Sequence, residues 1–259
     1  MNAKLKTAVK RILPGWVLHL YWLLRVIRIK VIKWVPRYDE DELITAHRCD
    51  FVNDDRFKQA YDAAVSQGLA ISDTIRWRAH VACWAVTRGV SLDGDFVECG
   101  VNKGFLSKIV MQYVGFESLN KKFWLLDTFE GFADEYLMPS EKQKYHEVGN
   151  IYGSCYDVVH RTFGHMKNVK IVKGTVPDTL PEVSSSRIAY LSIDMNCVYP
   201  EIAAAEFFWP KLVSGATILL DDYGHAGHEL QKDAFDQFSV KHHVPILVLP
   251  TGQGLIIKP

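Results

Sequence analysis

DFVECGVNKG, residues 95–104, decides the fold. Asp95–Cys99 is a short apolar strand pattern. It runs into a Gly-x-x-x-Gly turn, and the turn runs into a helix pattern, Gly104–Val114. A strand feeding a helix through a glycine turn opens a βαβ unit. The alternation continues down the chain. KFWLLD (122–127), VKIVKG (169–174), RIAYLSID (187–194) and ATILLDD (216–222) read as further strands, with helix patterns at Tyr156–His165, Tyr199–Leu212 and Glu229–Phe238. PILVLP and GLIIKP read as a closing hairpin around Thr251–Gly254. This spacing predicts an α/β, Rossmann-like fold: a mainly parallel seven-stranded sheet, helices on both faces, and a C-terminal antiparallel hairpin.

Sheets of this kind bind ligands beyond the carboxyl ends of their strands. Four of the five leading strands end there in acids: Glu98, Asp127, Asp194, and the pair Asp221 and Asp222. The turn at Gly100 and Gly104 allows close backbone approach and is not the GxGxxG of a dinucleotide site, which counts against an oxidoreductase. Glu98 opening that turn suits a nucleoside carrying an amino acid; a plain strand–helix turn is the other reading. Asp127, in Asp127-Thr128-Phe129-Glu130-Gly131, can receive ribose hydroxyls, with Phe129 against a base, or can simply cap nearby amides. Asp194, Asp221 and Asp222 lie on neighbouring strands about 4.8 Å apart. Three close carboxylates repel unless a hard divalent cation, such as magnesium, or a Lys or Arg balances them.

The set Glu98-x-Gly-Val-x-x-Gly104, Asp127-Thr-Phe-Glu-Gly131, Lys173-Gly174 with Asp178-Thr-Leu-Pro181, Ser192-Ile-Asp194 and Asp221-Asp-Tyr-Gly224 resembles the macrocin O-methyltransferase family over roughly residues 70–257. Members are class I sugar O-methyltransferases that use S-adenosylmethionine (SAM) and magnesium, in antibiotic and surface-polysaccharide pathways. The resemblance implies that Glu98, Gly100 and Gly104 line the methionine part of SAM. It implies that Asp127, with Thr128 and Phe129 beside it, holds the ribose, and that Gly174 and Thr175 lie near the adenine. Asp194, Asp221 and Asp222 match the metal ligands. The family's Asp-x-Asp-x-Tyr appears here as Asp194-Met-Asn196-Cys-Val-Tyr199, and Asn196 cannot act as a carboxylate base. The expected chemistry is methyl transfer to a sugar hydroxyl, with the proton taken by Asp194 or by His225. A catechol-like phenol acceptor and a non-catalytic SAM-binding partner of a membrane glycan assembly complex are the alternatives.

Around this core, residues 38–69 read as a linker and a helix over Asp55–Ser66, followed by the methyltransferase domain, 70–259. Ser72 reads as the cap of a buried helix ending at Gly89. Its Arg76, Trp77 and Arg78 read as buried and surface helix positions, or as a border of the acceptor pocket. Residues 128–150 read as a long loop, a candidate lid carrying Tyr136, Met138, Tyr145 and His146. Five widely spaced cysteines fit a reducing compartment.

Formal charge is zero, yet residues 1–37 hold nine Lys or Arg and no acid, leaving 21 basic and 30 acidic residues in the rest. The arm's longest uncharged run, Ile12 to Leu24, has 13 residues. That is short of the ~20 a membrane span needs, and no signal-peptide cleavage site follows it. Basic residues interleaved with aliphatics and tryptophans suit a peripheral segment on an anionic membrane; a helix pair packed on protein, including a homo-oligomer, is the other reading. The acidic body argues against nucleic acid. The expectation is a cytoplasmic protein at the inner face of the cell membrane, acting on a sugar or lipid-linked glycan.

Overall fold

The structure, a computed structural model, describes residues 36–70, 75–148 and 152–259, together with Leu20 and Leu23. The arm 1–37 therefore falls almost wholly outside the described residues, as does Ser72. No helix among the described residues is long and apolar enough to cross a membrane. The chain divides into two compact units, Met1–Cys49 and Asp50–Pro259. In the first, a small antiparallel pair forms from β1 (Tyr38–Glu40) and β2 (Leu43–Thr45), where the sequence reads as linker.

The second unit opens with α1 (Asp55–Ser66), capped by Asp54, whose side chain accepts from Phe57 N. Next comes α2 (Arg76–Val90), which begins without a side-chain cap at Ile75. Then follow β3 (Asp95–Cys99), α3 (Phe105–Val114), β4 (Phe123–Asp127), α4 (Pro139–Val148), α5 (Tyr156–Phe163), β5 (Val169–Lys173), β6 (Ile188–Ile193), α6 (Val198–Phe208), β7 (Leu212–Leu220), α7 (Glu229–His242), β8 (Leu247–Val248) and β9 (Gly254–Ile257). The seven-stranded order is β5-β4-β3-β6-β7-β9-β8. Pairing is parallel from β5 to β7, and β9 enters antiparallel beside β7.

The strands alternate faces, save at a register irregularity in β6 where Ala189 and Tyr190 join the same cluster. Phe96, Leu125, Tyr190 and Leu219 pack with α1, α2 and α3 on one face. Val97, Leu126, Leu191 and Ile218 pack with α6 and α7 on the other. Burial on both faces explains why the strands read as continuous apolar runs. Each large side chain so buried stabilises the fold by roughly 1.5–3 kcal/mol.

Three local readings change. Residues 128–150 are not a plain loop: a 3-10 turn at Asp134–Tyr136 precedes α4. The helix expected over Tyr199–Leu212 stops at Phe208, because Pro210 sits in a 3-10 turn and β7 already starts at Leu212. The closing hairpin has only two residues in its first strand.

Candidate active site

At the carboxyl edge of the sheet lies one cavity of about 340 Å³. Glu98, Asp127, Asp194, Asp221 and Asp222 all line it. So do Gly100, Thr128, Phe129, Gly174 and Thr175. Gly104 and His225 do not.

One end is built by β3 and β4. Glu98 is buried, and the Ser107 hydroxyl donates to it at 2.7 Å. Burial pushes its pKa up to about 8; the Ser107 bond opposes this and the charges of Asp127 and Asp221 add to it. No basic side chain pairs with it among the described residues. A ligand ammonium would supply the missing counter-charge. At Gly100 (φ +86°) a Cβ would fall 1.8 Å from the Asp194 carbonyl oxygen, so only glycine fits between the two halves of the site. At Gly104 (φ +82°) a Cβ would meet Phe163 Cε2 at 2.4 Å. Gly104 thus starts α3 and admits the Phe163 ring.

Asp127 lines the cavity and is held by backbone amides. Its Oδ2 accepts from Val101 N (2.6 Å) and Asn102 N (2.7 Å), and its Oδ1 from Phe129 N (2.6 Å). Three of about four acceptor positions are occupied by backbone. Its observed work is to tie the turn after β3 to the turn after β4. The Phe129 ring is buried edge-on to Tyr156. Thr175 donates to Asp178 at 2.6 Å, and Asp178 also receives the Tyr136 hydroxyl.

The other end gathers Asp194, Asp221 and Asp222, with one oxygen of each within 4.8 Å of the others. Part of the charge is balanced internally. Arg78 donates to Asp221 Oδ2 at 2.6 Å, and Gln253 donates to Oδ1 at 2.9 Å. The remaining acids are held in a raised-pKa state. Asp194 lies well above the usual carboxylate range, through burial and then the charges of Asp221 and Asp222. Asp222 rises to about 7 for the same two reasons, burial first and then Asp221. Asp222 Oδ2 is buried without a hydrogen-bond partner. His228 Nδ1 stands 3.5 Å from it but lies 2.9 Å from the Gln231 amide. With that nitrogen accepting from Gln231, it has no proton to give Asp222. Burial and Lys144 hold the His228 pKa near 4, so the ring is neutral. An orphaned carboxylate oxygen beside two other acids fits a hard divalent cation, with Arg78 neutralising one charge.

His225 lies outside the cavity lining. Its ring lies against Gly252, where an added Cβ would touch it at 2.6 Å. Following Asp222 closely in sequence, it is carried off by the turn in which its N–H donates to the Asp222 carbonyl. Arg78, expected as one of several helix positions, is the residue that enters the acid cluster. Trp77 instead packs edge-on to Phe51, and Arg76 lies over the Tyr61 ring.

Reading the sequence missed Gln253, Glu141 and Tyr152. Tyr152 lines the cavity, and its hydroxyl pKa is raised by burial and then by Asp194, Asp222 and Asp221. Phe132, also in the lining, stacks on Tyr145 at 3.9 Å and meets Tyr152 edge-on at 5.3 Å. Met138 is exposed.

A sheet of this order, with a glycine turn after its first parallel strand and acids along its carboxyl edge, defines a class I methyltransferase. Within that class, the chain belongs to the macrocin-O-methyltransferase (TylF) family, whose profile matches residues 34–248. The 8-demethyl-8-(2,3-dimethoxy-alpha-L-rhamnosyl)-tetracenomycin-C 4'-O-methyltransferase of Streptomyces olivaceus is 29% identical over 140 residues, covering 50% of this chain and 53% of that protein. The mycinamicin III 3''-O-methyltransferase of Micromonospora griseorubida is 26% identical over 144 residues, covering 50% and 55%. The chain thus spans little more than half the length of these relatives. Among solved structures, the O-methyltransferase NovP superposes with a TM-score of 0.63 at 21% identity, over 73% of this chain and 82% of that one. CalS11, a TDP-rhamnose 3'-O-methyltransferase, gives 0.51 at 16% identity, over 80% and 89%. These likenesses speak to the fold.

Proposed function

We propose that this chain transfers a methyl group from SAM to a sugar hydroxyl, with a divalent cation, magnesium by preference, held by Asp194, Asp221 and Asp222. The observation that carries the reading is the single cavity joining an unpaired buried Glu98 to the acid trio. Family membership and the sugar methyltransferases among the relatives support it. The acceptor belongs to a glycosylated natural product or a surface polysaccharide. Residues 70–259 are the catalytic domain in this reading. The basic arm 1–37 places it on an anionic membrane, where a lipid-linked acceptor is in reach; the arm's sequence alone supports that part.

Methyl transfer is an in-line displacement on sulfonium carbon. The protein aligns the acceptor oxygen, which is worth about 7–11 kcal/mol in well-oriented reactions, and receives its proton. Glu98 orients the cofactor through its ammonium. Asp127 contributes by fixing both cofactor turns through its three backbone bonds. A bound divalent cation supplies the lowered pKa of a ligated hydroxyl and of the carboxylates around it. Asp194 is the assigned proton acceptor, because it lines the cavity whereas His225 does not. Asn196 Nδ2 donates to Asp194 Oδ1 at 3.0 Å and orients it.

The test is mass spectrometry for gain of one methyl on TDP-rhamnose, other nucleotide sugars and lipid-linked glycans, with SAM and magnesium. Asp222→Asn is expected to abolish turnover. Full wild-type turnover in EDTA would remove the metal from the proposal, and methylation of catechols in preference to diol sugars would remove the sugar.

A further inference from the structure

Helix α4 is fastened at three points to the loops that follow Asp194 and Asp222. Glu141 is buried and accepts twice. Its Oε2 takes the Met138 N–H at 2.8 Å, at the start of α4, and its Oε1 takes the Val198 N–H at 2.8 Å, at the start of α6. One turn further on, the Tyr145 hydroxyl donates to the Asn196 carbonyl. Lys144 Nζ donates to the Gly227 carbonyl at 3.0 Å. The first two fastenings fall on residues 196–198, shortly after Asp194, which follows β6. The third falls in the turn after Asp222. One helix therefore bridges the loops that carry the two acids.

Asn196 links this fastening to the chemistry. Its main-chain oxygen receives the Tyr145 hydroxyl, while its side-chain amide donates to Asp194 Oδ1 at 3.0 Å. It holds a left-handed conformation, φ +59°, which asparagine tolerates better than most residues. A carboxylate at 196 could not donate to Asp194; the amide can. Tyr145 on the same helix stacks on Phe132, which lines the cavity and meets Tyr152 edge-on.

We propose that Glu141, Tyr145 and Asn196 form a latch that makes the orientation of Asp194 depend on the docking of α4, so that acid cluster and acceptor wall are completed together. Glu141 and Asn196 are positioning residues in this arrangement. Asparagine at 196 is then a working part of the latch rather than a lost base. The proposal rests on the methyl-transfer reading for its purpose, but its geometry can be tested without an acceptor.

The experiment uses the full chain with S-adenosylhomocysteine (SAH) bound, comparing wild type, Glu141→Ala, Glu141→Gln, Tyr145→Phe and Asn196→Asp. Hydrogen exchange reads residues 138–145 and 194–199, and calorimetry reads SAH and Mn²⁺ affinity. In Glu141→Ala, exchange is expected to rise at least tenfold in both segments together and nowhere else, and Mn²⁺ affinity to fall at least fivefold with SAH affinity within twofold of wild type. Glu141→Gln keeps one acceptor oxygen and falls between the two. Asn196→Asp is expected to leave exchange at Met138 unchanged while altering Mn²⁺ affinity at least threefold. Unchanged exchange at 194–199 in Glu141→Ala overturns the latch, as does loss of SAH affinity in parallel with Mn²⁺, which marks a merely structural role. A wild type that binds neither SAH nor Mn²⁺ sinks the methyl-transfer reading instead, and the exchange comparison, repeated without ligand, then decides whether the two segments move as one.

Discussion

Glu98→Gln separates what Glu98 does for folding from what it does for the cofactor. Without ligand, the carboxyl is buried with only the Ser107 hydroxyl as partner, and its pKa stands at about 8 against an ordinary 4.5. A raised folded-state pKa reverses the usual carboxylate behaviour. The folded protein keeps a proton that the unfolded chain releases, so stability is lost as pH rises from about 4.5 through 8. At ~1.4 kcal/mol per pH unit the loss is about 5 kcal/mol once the group is ionised in both states. Glutamine keeps the Ser107 bond and cannot ionise. Allowing half of that figure for the amide's own burial, the variant gains about 2–3 kcal/mol above pH 8. At ~2–4 °C per kcal/mol for a domain of this size, the gain is about 5–10 °C. The assay is thermal melting of ligand-free wild type and variant at pH 5.5, 7.0 and 8.5, with SAH calorimetry alongside. The variant should melt progressively higher than wild type as pH rises, yet bind SAH at least tenfold more weakly. A gap that stays constant with pH refutes the burial argument. Undiminished SAH affinity refutes the role of Glu98 as counter-charge to the ammonium.

Three further outcomes follow from the same site. Arg78→Met removes a partly buried ion pair to Asp221 at 2.6 Å; breaking it should cost about 2 kcal/mol or ~4–8 °C in metal-free melts, and saturating Mg²⁺ should recover more in the variant than in wild type. Gly104→Ala forces a Cβ to 2.4 Å from Phe163 at φ +82°, so a loss of about 1–3 kcal/mol is expected in urea unfolding; a neutral result would contradict the packing role assigned to that glycine. His225→Ala should leave turnover within threefold of wild type, because the ring lies against Gly252 and outside the cavity; a hundredfold loss measured under saturating substrates would return it to the reaction.

The strand-end acids were legible because a parallel sheet has one ligand-binding edge, and position along a strand fixes which residues reach it. Glu98, Asp127, Asp194, Asp221 and Asp222 all arrive where that rule places them. What each acid does there was less legible, since it depends on neighbours brought from elsewhere. Asp127 is occupied by amides of the preceding turn, and Asp221 by an arginine 143 residues away. Arg78 reads like Arg76 until the rotation of α2 against the sheet is known, and periodicity does not give that rotation. PSEKQKYHEV has no apolar face, so α4 gave no helical signal; its order comes from tertiary anchors at Glu141, Lys144 and Tyr145. His225 shows the converse: it stands three residues from Asp222 in the chain, yet the intervening turn keeps it out of the cavity lining.

Gln253 ties the acid cluster to β9. It sits in the turn before β9, and β9 reaches Asp221 only by entering antiparallel against β7. The amide donor to Asp221 therefore comes 32 residues further along the chain, on the approach to the strand that closes the sheet beside β7. Removing β9 would take Gln253 out of reach and leave Arg78 to hold Asp221.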